Sequence, residues 1–206
     1  MIGKVFRVFR ERGGILKALD LWGWYESLDH KKQKVVKYYF SLKSIKSIAF
    51  PYRAKHFDSG HVENIGYTKA TFLGSLAQTA LLEGDYQNAQ WLYLSALEFA
   101  QNAYEKHLIL NDLVMLAQKL KDFEKMERYA MMDLELFDEY AQELKERNGG
   151  KLPQINSYEL MVYLLERKGE KDKALELLEE LRSKGVPHPF YEQVKARLKG
   201  EIPSTP

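Results

Sequence analysis

The sequence predicts an all-α fold built from consecutive pairs of helices. Between Lys69 and Ala103, apolar residues recur every three or four positions, which is the period of a helix that buries one face. The pattern is interrupted at Gly84-Asp85, where glycine can end one helix and aspartate can cap the next. Similar interruptions follow at Lys121-Asp122 and Gly169-Glu170, so we expect three helical hairpins in series.

The second hairpin is predicted to have an unusually long return helix. The turn at Lys121-Asp122 lies 48 residues before the turn at Gly169, whereas the first two turns are 37 residues apart. We therefore expect one helix to start at Phe123 and to continue to about Arg147, where Asn148-Gly149-Gly150 ends it.

The C-terminal part is predicted to form the third hairpin and a cap. The hairpin spans residues 158–181, and a further helix is expected in residues 188–199 after Pro187. Its apolar side chains recur at helical spacing and are expected to cover the last hairpin, namely Tyr191, Val194 and Leu198. The tail, residues 201–206, contains two prolines and is expected to be flexible.

The N-terminal segment, residues 1–59, is predicted to be helical and basic. Residues 31–48 place apolar side chains along one helix face: Val35, Val36, Tyr39, Phe40, Leu42, Ile45 and Ile48. The stretch from Ile2 to Phe9 has a similar pattern. A basic amphipathic helix can lie on a membrane surface or dock on the rest of the chain, and we favour docking on the helical hairpins.

Charge is divided unevenly along the chain. Residues 1–56 carry thirteen lysines and arginines and four acidic residues, a net charge of +9, and the other 18 basic and 25 acidic residues give −7. Such asymmetry indicates binding to nucleic acid or to an anionic surface, or docking of one segment on the other. The candidate basic patch consists of Lys31, Lys32, Lys34, Lys37, Lys43 and Lys46.

Cysteine and hydropathy restrict the location of the protein. The chain has no cysteine, which excludes disulfides and fits a reducing compartment, so we expect a cytoplasmic protein. The longest uncharged stretch, residues 70–82, is shorter than the roughly 18 apolar residues that a membrane-spanning helix needs. Charged side chains interrupt residues 1–21, so we expect no secretory leader.

The sequence offers little support for catalysis. It contains no glycine-rich phosphate loop, no Gly-x-Ser-x-Gly motif and no His-Glu-x-x-His motif. Metal-ligating side chains cluster only at His56, Asp58, His61 and Glu63. Two histidines five residues apart lie on different faces of a helix, and this region has the composition of a loop. We therefore expect no enzyme activity, no cofactor and no metal site.

The hairpins resemble tetratricopeptide repeats, which are 34-residue helix pairs. The resemblance of the first is carried by Leu76, Ala77, Gly84-Asp85-Tyr86, Ala89, Tyr93, Ala96 and Leu97. The third hairpin resembles the family in Tyr158, Met161, Gly169, Ala174, Leu178 and Leu181. The second departs most, with Met126 and Asp133 where the family has small alanines. The resemblance implies a right-handed α-solenoid of about three hairpins in residues 60–200, with an N-terminal helical extension and a C-terminal capping helix.

The resemblance also implies a function. Tetratricopeptide arrays generally bind peptides or protein segments along the face formed by the first helix of each pair. The groove residues implied here are Gln78, Asn111, Met115, Gln118, Lys119, Asn156, Tyr163 and Arg167, and Thr71, Leu81 and Glu159 map to the same face. We expect a non-catalytic scaffold that binds a protein or peptide. The alternative is an adaptor for nucleic acid or an anionic surface through the basic patch, and the same surfaces also allow a homodimer.

The third hairpin also resembles a pentatricopeptide repeat, in Tyr158, the Gly169 turn, residues 174–178 and Lys184-Gly185-Val186. That family reads single-stranded RNA with one base per repeat. A single matching unit does not make a sequence-specific reader, so we favour the tetratricopeptide interpretation.

Overall fold

The computed structural model describes residues 12–63 and 65–201, and all regular secondary structure in these residues is helical. The predicted all-α fold class is confirmed. The chain divides into two compact units, Met1–Phe99 and Ala100–Pro206, and each is described below by itself. The predicted helix over Ile2 to Phe9 and residues 202–206 of the predicted flexible tail lie outside the described residues.

The first unit is a helical hairpin with helices of the N-terminal segment packed on it. Its helices are α1 (Gly14–Ala18), α2 (Trp22–Ser27), α3 (His30–Lys46), α4 (Lys69–Leu82) and α5 (Tyr86–Phe99). Helices α4 and α5 form the hairpin, and α3 packs against α4. The core contains an aromatic cluster, in which the ring of Phe40 lies 5.2 Å from that of Phe57 and 6.1 Å from that of Phe72. The basic segment therefore contributes apolar side chains to the same core as the hairpin.

A hydrogen bond joins α3 to the turn of this hairpin. The hydroxyl of Tyr39 donates to Asp85 Oδ2 at 2.6 Å, and Asp85 also accepts from the backbone and side-chain amides of Asn88. Burial and the neighbouring Asp85 carboxylate raise the pKa of Tyr39. Burial of Asp85 opposes its ionisation, but the hydrogen bonds from Asn88 and Tyr39 outweigh that effect and lower the pKa of Asp85. The residue that caps α5 thus also anchors α3.

Helix α3 differs from the prediction at its C-terminal end. The predicted apolar face extended to Ile48, but the helix ends at Lys46, and both Ile45 and Ile48 are exposed. The buried face of α3 contains Val36, Tyr39 and Phe40. Ile45 follows Val36 by nine residues, which is about 180° around a helix. The sequence period alone therefore assigned Ile45 to the wrong side.

The second unit contains six helices. They are α6 (Ala103–Lys119), α7 (Phe123–Glu135), α8 (Phe137–Arg147), α9 (Asn156–Arg167), α10 (Lys171–Ser183) and α11 (Tyr191–Leu198). Helix α6 pairs with α7, and α9 pairs with α10. On α11, the three expected capping side chains Tyr191, Val194 and Leu198 are buried against Val162, Ala174 and Leu178.

The prediction of one continuous helix from Phe123 to Arg147 is wrong. The chain breaks at Leu136 into α7 and α8, although α8 ends at the predicted residue. The two helices have different neighbours, because α7 packs mainly on α6 and α9, whereas α8 packs mainly on α6. Phe137 of α8 also packs against Tyr158 of α9, with 5.4 Å between the ring centroids. The break at Leu136 separates these two sets of contacts, and both helices bury side chains.

A buried polar network links α6, α7 and α9. The carboxylate of Asp133 is fully buried, and it lies 2.8 Å from His107 Nδ1 and accepts a hydrogen bond of 2.6 Å from Ser157 Oγ. The ring of His107 stacks on Tyr140 at 4.1 Å. Burial, together with the Asp133 charge, raises the pKa of Tyr140. Asp133 is thus the centre of the network.

The hairpin turns share one backbone feature. Each places one residue in the left-handed region, namely Gly84 at φ 77°, Lys121 at φ 56° and Gly169 at φ 79°. A residue with a β-carbon pays on the order of 1 kcal/mol for this conformation, whereas glycine does not. The second turn is therefore the strained one of the three.

We expect Lys121→Gly to raise the free energy of unfolding by about 1 kcal/mol, because it relieves this backbone strain. Gly84→Ala is the matched control and should lower the free energy by a similar amount, since no atom lies within 4 Å of the added methyl group and only the backbone changes. Urea unfolding followed by circular dichroism measures both. A Lys121→Gly variant less stable than the natural protein would contradict the assignment.

We expect Asp133→Ala to lower the free energy of unfolding by about 3 kcal/mol, because it leaves His107 and Ser157 without their buried partner. The control is Asp172→Ala on α10, where the side chain is exposed and the change should stay within about 0.5 kcal/mol. The same unfolding measurement applies. Equal losses in the two variants would mean that the network does not stabilise the fold.

Candidate functional site

The predicted groove residues of the second unit lie on two neighbouring helices, α6 and α9. A pocket of about 740 Å³ is lined by four of them, Met115, Gln118, Asn156 and Tyr163. A fifth, Asn111, accepts a hydrogen bond of 3.1 Å from the side-chain amide of Asn156. We call this surface, Asn111 to Lys121 of α6 and its turn with Asn156 to Tyr163 of α9, the α6/α9 groove.

Three predicted groove residues lie elsewhere. Lys119 is exposed but does not line the pocket. Arg167 holds its guanidinium 4.3 Å above the ring of Phe123 and lines a separate, smaller depression. Gln78 is exposed on α4 and belongs to the first unit. Five of the eight predicted groove residues therefore lie together, and the other three do not line the pocket.

Helical period explains why these side chains line a groove. Helix α6 begins after Asn102, whose side chain accepts a hydrogen bond of 2.8 Å from the backbone of Glu105. It buries Leu110, Leu113, Val114 and Ala117. Positions 111, 115 and 118 are spaced by three and four residues and are not buried. The groove wall is thus the helix face that packing leaves uncovered.

The middle of the groove is apolar. Met115 is 47% exposed and Tyr163 is 49% exposed, although both are large side chains. Phe123, at the start of α7, is 41% exposed and lines the same pocket. Phe123 was not among the predicted groove residues, because these came only from the first helix of each pair. An aromatic residue directly after the capping Asp122 was the available signal.

The groove contains one carboxylate in an unusual setting. Glu159 lines the pocket, and its Oε1 atom is buried with no hydrogen-bond partner among the described residues. The residue lies in the first turn of α9, where the helix dipole favours a negative charge. The basic residue that lines the same pocket is Lys121. Glu159 is therefore the acidic residue among those that line the pocket, and one of its oxygens lacks a donor among the described residues.

The serine, histidine and aspartate of the buried network do not form a catalytic relay. In such a relay serine donates to histidine, whereas here Ser157 donates to Asp133. All three side chains are buried, so a substrate cannot contact them. The arrangement instead fixes α6 and α9, the two walls of the groove, to the same carboxylate on α7.

Most lysines of the predicted basic patch have partners within the first unit. The contacts are Lys32 with Asn88 and Trp91, Lys37 with Asp58, Lys43 with Phe50, and Lys46 with Glu83. Burial lowers the pKa of Lys32 and of Lys43. Lys31, Lys34 and Lys46 are exposed, although Lys46 pairs with Glu83. The patch thus presents three exposed lysines on α3 rather than six.

The residues of the histidine cluster are spread over separate contacts. Asp58 pairs with Lys37, and His61 pairs with Glu63 at 2.9 Å on the surface. The backbone amide of Arg53 donates to His56 Nδ1. Within residues 12–63 and 65–201, no group of three or more histidine, aspartate or glutamate side chains is arranged to hold a metal ion. The same described residues include no helix that is long and apolar enough to cross a membrane.

Comparison with known proteins gives one informative relative. No family model matches the chain. No solved structure matches it. An uncharacterized protein of Aquifex aeolicus (strain VF5) is 63% identical over 198 residues, which cover 96% of this chain and 98% of that protein. The chain therefore belongs to the same protein family as this Aquifex aeolicus protein.

Proposed function

We propose that the protein is a non-catalytic scaffold that binds a peptide or protein segment in the α6/α9 groove. The observation that carries the proposal is the pocket that Met115, Gln118, Asn156 and Tyr163 line together. Methionine and tyrosine contribute large, adaptable apolar contacts, and the amide groups can bond the main chain of an extended segment. A surface that combines both is suited to a peptide ligand.

The wider architecture that we propose is a right-handed α-solenoid of tetratricopeptide-like hairpins, α4 with α5, α6 with α7, and α9 with α10. In each hairpin a left-handed residue is followed by an acidic residue at the start of the second helix, at Gly84-Asp85, Lys121-Asp122 and Gly169-Glu170. Helix α11 covers the last hairpin, and the terminal units of a solenoid need such a cover. We place the protein in the cytoplasm because it lacks cysteine.

The proposal can be tested with peptides from a random 12-residue display library selected against the full chain. We expect Met115→Ala combined with Tyr163→Ala to weaken the selected peptides by tenfold or more, because exposed side chains at the centre of an interface carry most of its binding free energy. Fluorescence anisotropy with synthetic copies of the peptides gives the affinity.

Met131→Ala is the matched control, because Met131 is similarly exposed on α7 and does not line the groove. It should leave the affinity unchanged. Failure to select any peptide, or equal affinity for the groove variant and the natural protein, would count against the proposal.

The alternative function, binding of nucleic acid or an anionic surface, depends on the basic patch. Four of its six lysines already contact neighbouring side chains, including the exposed Lys46, and Lys31 and Lys34 are the other two. A 20-nucleotide single strand, titrated at 50 and 200 mM salt, tests this alternative. Salt-sensitive binding that is lost in a Lys31→Gln, Lys34→Gln variant would favour it over the groove.

A further inference from the structure

We infer that the α6/α9 groove selects an extended peptide segment with a lysine or arginine side chain next to an apolar one, and that Glu159 binds the cationic group. The inference rests on the proposed function, since it takes the groove as a peptide site. It adds the chemistry of the occupant, which the apolar lining alone leaves open.

One carboxylate oxygen of Glu159 has no hydrogen-bond donor within residues 12–63 and 65–201. Glu159 Oε1 is buried, and no described residue donates a hydrogen bond to it. An ionised carboxylate only accepts hydrogen bonds. The oxygen has therefore already lost its solvation without compensation, and a ligand that brings a donor to this carboxylate supplies the missing hydrogen bond. A purely apolar segment leaves the oxygen unsatisfied, and an ammonium or guanidinium group is favoured.

The aromatic ring of Tyr163 lines the same pocket as Glu159. Tyr163 follows Glu159 by four residues on α9, so the two side chains are neighbours on one helix face. A lysine or arginine can lay its alkyl stem on Tyr163 and Met115 while its charged end reaches the carboxylate. A cation near an aromatic face gains further attraction. The apolar surface and the acceptor thus suit one long basic side chain.

The pocket of the groove is lined by charged residues of opposite sign, Glu159 and Lys121. Asn156 bonds Asn111, 45 positions earlier in the chain, and Lys121 and Phe123 line the pocket at the turn between α6 and α7. Glu159 lies three positions after Asn156, and Lys121 lies two positions before Phe123. A single basic residue is therefore favoured near Glu159 and repelled near Lys121.

The experiment compares peptides selected from the random 12-residue library with analogues in which norleucine replaces the lysine. Norleucine keeps the alkyl stem and removes the charge. We expect the natural protein to bind the lysine peptide at least tenfold more tightly than its analogue. In Glu159→Gln this preference should shrink to less than twofold, because the charged partner is gone.

Glu124→Gln is the matched control. Glu124 occupies the first turn of α7, as Glu159 does in α9, but it is exposed and does not line the groove. This variant should keep the full preference for the lysine peptide. Circular dichroism checks that Glu159→Gln is folded, and if it is not, the norleucine comparison on the natural protein decides the question alone.

The outcomes separate the inference from the proposed function. If peptides bind and the Met115 and Tyr163 substitutions weaken them, but norleucine replaces lysine without loss, the inference is overturned and the groove remains a peptide site. If the same preference for lysine persists in Glu159→Gln, another residue binds the cation and the inference is again overturned. If the groove substitutions have no effect on any selected peptide, the proposed function fails and the inference fails with it.

Discussion

The second unit depends on one buried carboxylate. Asp133 of α7 holds His107 of α6 through one oxygen and Ser157 of α9 through the other. Because burial removes its solvation, these two partners are required rather than optional. Asn156 and Glu159 of the groove flank Ser157 on α9, and Met115 lies two turns beyond His107 on α6. The distance between α6 and α9, the walls of the groove, is therefore set by the buried contacts of Asp133, which no ligand touches.

The first unit uses its charge in a different way. The excess of lysine near the N-terminus indicated an external anionic partner, but four of the six lysines in the basic patch contact side chains of the same unit. Lys69 of α4 in turn pairs with Asp20 beside α1. Together with the hydrogen bond from Tyr39 to Asp85, these contacts hold the N-terminal helices on the hairpin. Part of the basic charge is therefore used in contacts within this unit.

The sequence was informative where a signal is local. The turns at Gly84 and Lys121 are marked by one or two residues, and the uncovered positions of α6 follow from its own period. It was uninformative where the outcome depends on which neighbour packs. Leu136 carries no glycine or proline signal, so the break after α7 is visible only from the contacts of the two halves. The prediction that Ile45 is buried was wrong for the same reason. The unpaired oxygen of Glu159 depends on the positions of surrounding atoms, which the sequence does not specify.

Helix α8 has a consequence for how this unit unfolds and evolves. In an array of identical repeats, each unit contacts only its neighbours, and units can be lost or gained with roughly additive effects. Here Phe137 and Tyr140 of α8 share one core with Tyr158 of α9 and with Leu181 of α10. Removing the last hairpin would expose that core, so the hairpins of this unit must melt as one cooperative block. Such a unit is closed to change by repeat duplication or loss, and its length is expected to be fixed across the family.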